Sequence, residues 1–313
     1  MTKLARAADK AIRGSLRLKR SDRFLLVTDT GSLKVAEALA GAARAAGAET
    51  TTYLLTESLR PVAEPTGLLR LMARRATAIA YILESRFQEK TFRGFLVKTG
   101  RAYGRVLMMP GMTREMMERL VDVDLQDMKR FTSRLVRVLR NADEVTVENP
   151  RGTRISFSVR GRTWVSSMGD LGLPGSHGNL PAGECYTAPV EESFSGRVVL
   201  SLIDDKLGPG VLEFERGRLK RGSGRGVEAI LAHIGDDETG RVIGEFGVGT
   251  NRGARICPNM LEAEKAFGTV HFAIGDSYGL GRNSSRHHYD ALVEKATIRV
   301  AGRTIALNGR YMI

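Results

Sequence analysis

DRFLLVTDTGSLKVAEALAGAARAAGAETTTYLL, residues 22–55, decides the fold class. Asp22–Thr28 is a compact apolar run between polar ends, the mark of a buried strand. Ser32 is placed to cap a helix over the Ala- and Leu-rich Leu33–Ala46, and Gly47 to end it. Glu49–Leu55 is rich in β-branched residues and predicts a second strand. Strand, helix and strand with short links form a βαβ unit, which implies parallel pairing and a right-handed crossover.

The alternation extends outward from there. Leu4–Arg17 predicts a short helix, Leu68–Arg75 another, and Ala78–Leu83 a third strand. Phe87–Thr99 and Arg105–Met109 continue the alternation, followed by helices at Thr113–Leu120 and Leu125–Arg140. Residues 1–142 therefore read as an open α/β sheet domain. Asp29–Ser32 lies where such sheets often bind ligands, but it lacks GxGxxG and GxxxxGK[ST], so an ordinary strand-to-helix turn is expected. Near Asn141 the pattern changes to short strands with glycine turns, at Glu144–Glu148, Arg154–Val159 and Thr163–Ser167. Gly175–Asn179 reads as a loop, Met260–Phe267 as a helix and Thr269–Ile274 as a strand. Residues 143–313 are thus expected to form a mixed, β-rich domain, and the fold class is α/β.

Composition narrows the function. Of 313 residues, 42% are hydrophobic, enough for a packed core. No run approaches the about 18 apolar residues of a membrane span, and the basic N-terminus has no apolar stretch of the secretory kind. The two cysteines, Cys185 and Cys257, are expected to be reduced, as in a cytoplasmic protein. The net charge of +13 invites a nucleic-acid reading, but Lys and Arg are spread along the chain without a basic run or an aromatic-interleaved motif. Non-catalytic nucleic-acid binding therefore stands only as a further alternative.

Chemistry concentrates in the last third. Glu245, His271, His288 and Asp290 are separated by glycine-rich turns, and Glu184 lies upstream in PAGE. Imidazole and carboxylate together suit a borderline divalent ion. His288 and Asp290, two apart on an extended segment, point to one side. His287 points away from them. Glu245 is a charge in an apolar, glycine-rich segment, where burial demands a partner.

PAGE (181–184), GEFGVGTN (244–251), LEAEKAFGTVHFAIGDSY (261–278) and HYD (288–290) resemble, in order, motifs of the aminopeptidase T/aminopeptidase S (M29, leucyl aminopeptidase-like) family of metallopeptidases. The resemblance covers about the last 130 residues. It implies that Glu184, Glu245, His271, His288 and Asp290 hold two divalent ions, zinc, cobalt or manganese, with a bridging water. It implies Tyr278 as the catalytic tyrosine, a small peptide or amino-acyl substrate, and a homodimer. Glu191, Glu192 and Glu264 are candidates for the general base. The interval from His271 to His288, 17 residues (288 − 271), is shorter than in typical peptidases of the family. The resemblance extends to a second branch, ring-cleaving dihydroxypyridine dioxygenases of the same fold with one iron(II) on two His and one Asp. His271, His288 and Asp290 could form that triad. Both glutamates and Tyr278 are retained, so the expectation is a metallo-aminopeptidase, with the iron dioxygenase as the alternative.

Overall fold

The parallel βαβ core forms as expected. In the computed structural model, which describes every residue except Ser85 and Asp205, β1 (Arg23–Asp29) lies between β2 (Glu49–Leu55) and β3 (Ala78–Ile82), parallel to both. β4 (Arg105–Met108) extends the sheet beyond β3. Every residue of β3 is buried, the continuous apolar run of a central parallel strand covered on both faces. The helix Leu33–Ala45 packs a stripe of Val35, Ala36, Leu39, Ala40 and Ala43, and Gly47, at φ +84°, turns the chain into β2.

The expected loop at 175–179 instead contributes a fifth strand, His177–Asn179, parallel to β4. It is held by Val106 N–H to the Ser176 carbonyl (2.9 Å) and Leu180 N–H to the Met108 carbonyl (3.0 Å). Its partners lie about 70 residues earlier in the chain, so no local apolar pattern announces it.

The residues group into two compact units, Met1–Asp124 with Gly169–Ala182, and Leu125–Met168 with Gly183–Ile313. The second is built on a large sheet whose strand pairs are antiparallel. Its core holds Phe157, Phe194, Phe246 and Phe272, with ring centroids 4.8–5.9 Å apart. Each such ring, fully buried, contributes about 1.5–3 kcal/mol. The helix Leu125–Leu139 lays Met128, Phe131, Leu135 and Leu139 on this unit, with Phe131 against Phe267 and Tyr311. Among the described residues no helix is long and apolar enough to cross a membrane, and both cysteines are free.

At the C-terminal end of β1 the first unit closes around a buried guanidinium. Arg60 is fully buried and donates to both oxygens of Glu89 (2.9 and 2.6 Å), to Asp29 and to the Glu84 carbonyl. Asp29 also accepts from the backbone N–H of Ser32 (2.8 Å) and Glu84 (2.6 Å). The Asp29–Ser32 turn is thus occupied by a carboxylate of its own. Burial alone would raise both carboxyls. For Asp29 the two N–H groups and Arg60 outweigh it, for Glu89 chiefly Arg60, so both lie below their ordinary values of 3.8 and 4.5.

Carboxylates held low in the folded state stabilise it above their unfolded pKa and lose that contribution as pH falls. The contribution of this buried cluster to the unfolding free energy is therefore expected to be flat above about pH 5 and to decline below it. Arg60→Met leaves two buried carboxylates unpaired and is expected to cost about 3–5 kcal/mol near pH 7. That deficit should shrink toward pH 3, where protonation removes the unpaired charges. Urea unfolding of both proteins from pH 3 to 8 checks this, and a pH-independent deficit contradicts it.

Candidate metal centre

Cross-strand register determines which side chains meet. In the second unit Gly249 pairs with Glu184 and Gly247 with Tyr186 on one flank. On the other, Gly247 pairs with His271 and Glu245 with Ala273. Ala273 then pairs with Asp290 and Gly275 with His288. Paired residues share a face and neighbours along a strand alternate. Glu184, Tyr186, Glu245, His271, His288 and Asp290 therefore emerge on one face. Cys185, Phe246, Val248, Phe272, Ile274, Ala291 and Val293 point into the core from the other.

Small residues keep this face open. A Cβ on Gly247 would fall within the His271 ring, and one on Gly249 would overlap the Ala266 carbonyl. Close approach at Gly249 is also what brings the LEAEK segment beside Glu184. The predicted helix over 260–267 stops at Ala263, because the Phe267 N–H donates to the Asn251 carbonyl (3.2 Å) instead of to the Ala263 carbonyl.

His271 Nε2 lies 3.1 Å from Glu245 Oε1 and 3.7 Å from Glu184 Oε2. His288 Nε2 lies 3.6 Å from Asp290 Oδ1 and 3.9 Å from Glu245 Oε2. Glu245 thus joins the two halves. Two sets of donor atoms, Glu184/Glu264/His271 and Glu245/His288/Asp290, each fall within 4.8 Å of one another. His271 is fully buried, whereas the side chains of His288 and Asp290 keep 12% and 16% exposure, so the cluster is deep at one end and open at the other. At the open end Tyr278 lies with its ring 4.5 Å from the His288 ring, 60% exposed and at φ +51°. Strained backbone of this kind persists where the surroundings hold it. Here Ser277 Oγ–H donates to the Asn283 carbonyl and Asn283 Nδ2–H to the Gly275 carbonyl, both at 2.6 Å.

The donor set fits a divalent cation. His288 Nδ1 lies 2.8 Å from the Asp276 carbonyl, so Nδ1–H donates there and Nε2 is the nitrogen that faces Asp290 and Glu245. Asp290 Oδ1 is buried without a hydrogen-bond partner among the described residues, and so is His271 Nδ1. The electrostatics call for positive charge. Burial would lower both imidazoles, but Glu245 chiefly raises His271 to about 9, and Asp290 with Glu245 raises His288 to about 10. Burial also raises Glu264, to about 8, and Glu245, while Asp290 is lowered despite burial by His288.

All five residues anticipated as ligands are brought together. Glu264, considered as a base, joins them. Glu191 and Glu192 do not; Arg162 and Arg282 engage Glu191, and Arg282 engages Glu192. His287 lies on the opposite face, stacked on Tyr289. Two residues were missed. Tyr186 follows Glu184 by two positions, so strand alternation alone could have placed it here. Lys265 is fully buried, with Nζ 3.1 Å from Glu184 Oε1 and in contact with Glu264. Its signal was a lysine between acidic and apolar residues in LEAEKAF.

The family model described as 2,5-dihydroxypyridine 5,6-dioxygenase (NicX) matches residues 14–313. Two solved structures share the fold. The 2,5-dihydroxypyridine dioxygenase from Pseudomonas putida KT2440 is 18% identical, with a TM-score of 0.79 over 100% of this chain and 98% of that one. Wild-type AmpT from Thermus thermophilus is 20% identical, with a TM-score of 0.74 over 99% of each chain. No curated protein matches the chain in sequence. The expected metallo-aminopeptidase activity is thereby corrected: the family match is to a dioxygenase, and the likeness to AmpT is one of fold alone. Both neighbours share the fold on which the candidate ligands lie, and fold alone does not separate the two chemistries.

Gly247→Ala forces a Cβ into the space of the His271 ring. We expect a loss of about 1–3 kcal/mol of stability, as for other overpacked cores, together with weaker Mn(II) binding. Calorimetric melting and a Mn(II) titration read the two effects, and unchanged metal affinity contradicts the expectation.

Proposed function

The chain belongs to the 2,5-dihydroxypyridine 5,6-dioxygenase family, and from that premise we propose that it is a ring-cleaving dioxygenase. It uses one ferrous ion and acts on a hydroxylated aromatic ring of the dihydroxypyridine class. The observation that carries the reading is the pairing of His288 Nε2, its tautomer set by the Asp276 carbonyl, with the unpartnered Asp290 Oδ1 at 3.6 Å. Imidazole and carboxylate with remaining open positions are the donors that non-haem iron(II) oxygenases use.

His288 and Asp290 would hold the ion at the open end, with Glu245 beside them and His271 behind. Ferrous iron, when bound, would bring dioxygen and the ring together and relay electrons from the ring to dioxygen, both atoms of which enter the opened ring. The protein's own part is to bind and orient. The partly exposed side of His288 and Asp290 is where a planar ring can approach. Tyr278, beside His288, offers an aromatic face and a phenol to that ring. Tyr186, on the same face of the sheet and opposite Gly247, offers a second phenol. The apolar core behind the sheet keeps bulk water from the His271 end.

Protein loaded anaerobically with iron(II) is expected to consume oxygen when given 2,5-dihydroxypyridine, in step with loss of the ring's absorbance. His288→Ala and Asp290→Ala should each lower kcat/KM by more than about 100-fold, beyond what losing a supporting partner of a metal ligand costs. Tyr278→Phe should act on the substrate, through KM or kcat, and leave iron content unchanged. Iron-loaded protein that consumes no oxygen with any dihydroxypyridine isomer would sink the proposal.

A further inference from the structure

Tyr278 stands on a turn that has to be held in shape. Leu280 N–H donates to the Ser277 carbonyl (2.9 Å), and the two residues between, Tyr278 and Gly279, have φ of +51° and +76°. Positive φ at both central positions suits glycine and strains a tyrosine, so the turn keeps this form only while both its limbs are fixed. The first limb is fixed by Ser277, whose hydroxyl donates to the Asn283 carbonyl. The second limb, Gly281–Arg282, rests on Glu191. The Arg282 N–H donates to Glu191 Oε1 (2.7 Å), and a Cβ on Gly281 would come within 2.7 Å of the same oxygen. Glu191 is buried; Arg162 engages its other oxygen, and Arg282 Nε lies 3.5 Å from that oxygen. The backbone of Glu191 is as firm. Its carbonyl accepts from the N–H of Phe194 (3.1 Å), a core residue, and packs against Gly217, where a Cβ would overlap it. Burial would raise the Glu191 carboxyl, but the Arg282 N–H, with Arg162 and Arg282, holds it below its ordinary 4.5, so it is charged at neutral pH.

We propose that Glu191 is a positioning residue for Tyr278: its carboxylate braces the second limb of the turn, so that the tyrosine ring stays beside His288. Glu191 acts through the backbone and not on the substrate, since its oxygens are committed to the Arg282 N–H and to Arg162. The tyrosine ring lies 4.5 Å from the His288 ring, yet Tyr278 is 60% exposed, so the backbone beneath it sets its direction. Release of Gly281–Arg282 lets the turn relieve its positive φ and carries the ring away from the open end of the cluster. This rests on the reading of that open end as the place where an aromatic substrate binds, and deepens it by naming the group that keeps the substrate-facing phenol in place.

The test joins hydrogen–deuterium exchange of the full chain, resolved to single amides, with oxygen-uptake kinetics of the iron-loaded protein on 2,5-dihydroxypyridine. In Glu191→Ala the Leu280 amide, which closes the turn, should exchange about 10–100-fold faster, as expected when a hydrogen bond to a charged group is lost. Iron content should not change. The kcat/KM of Glu191→Ala should fall, and adding Tyr278→Phe to it should cost nothing further, because the two residues act as one unit. Glu191→Gln, which keeps an oxygen for the Arg282 N–H, should regain most of the loss. Native exchange at Leu280 in a folded Glu191→Ala overturns the proposal. So does a Tyr278→Phe effect of the same size with and without Glu191. If Glu191→Ala does not fold, Gly281→Ala, which drives a Cβ toward the same oxygen, is read in its place with the same outcomes. Exchange needs no turnover. Iron-loaded protein that consumes no oxygen with any dihydroxypyridine isomer overturns the dioxygenase reading, and the bracing of the turn then stands or falls on the Leu280 amide alone.

Discussion

Four carboxylates cannot be buried on one face of a sheet without positive charge beside them. Glu184, Glu245, Glu264 and Asp290 converge in the second unit, and removing carboxylates from water costs several kcal/mol each unless they are compensated. Two imidazoles, one lysine and the proposed cation are the available compensation. Much of the local architecture follows from that demand: the lysine buried to its ammonium, the helix that ends at Ala263 so that Lys265 can turn inward, and the histidine whose Nδ1 is tied to a carbonyl so that its other nitrogen faces the acids.

Room for such a cluster comes from residues that have almost no side chain. Gly247, Gly249, Ala273 and Gly275 share the face that bears the charged groups, and at Gly247 even one extra carbon would occupy the His271 ring. The opposite face of the same strands is filled by Phe246, Phe272 and their neighbours. One set of strands thus serves two purposes, because alternation sends successive residues to opposite sides. The packed aromatic core on one side gives the polar side its rigidity.

The solved structures that share this fold include a dihydroxypyridine dioxygenase and AmpT. Ligand identity does not separate them, since glutamates, histidines and an aspartate can serve either. Lys265, buried with its ammonium beside Glu184 and Glu264, adds to the acidic cluster a positive charge that motif spacing does not reveal.

Much was legible in the sequence. The run of apolar Asp22–Thr28, the Ala-rich helix and the β-branched Glu49–Leu55 dictate a parallel βαβ unit, because burial period and propensity agree along each segment. Glu184, Glu245, His271, His288 and Asp290 were singled out as a set by the resemblance of their motifs to a metallopeptidase family, since glycine and apolar neighbours alone left each of them open. The fifth parallel strand, the inward turn of Lys265 and the side-by-side placement of Tyr278 and His288 were not. Each depends on pairing between segments distant in the chain or on a backbone turn, and neither leaves a periodic trace. By itself the sequence determined the elements and the chemical types of the donors; the tertiary structure decided which face they share, how deep each lies and which charge answers which, because register and close packing are properties of several strands at once.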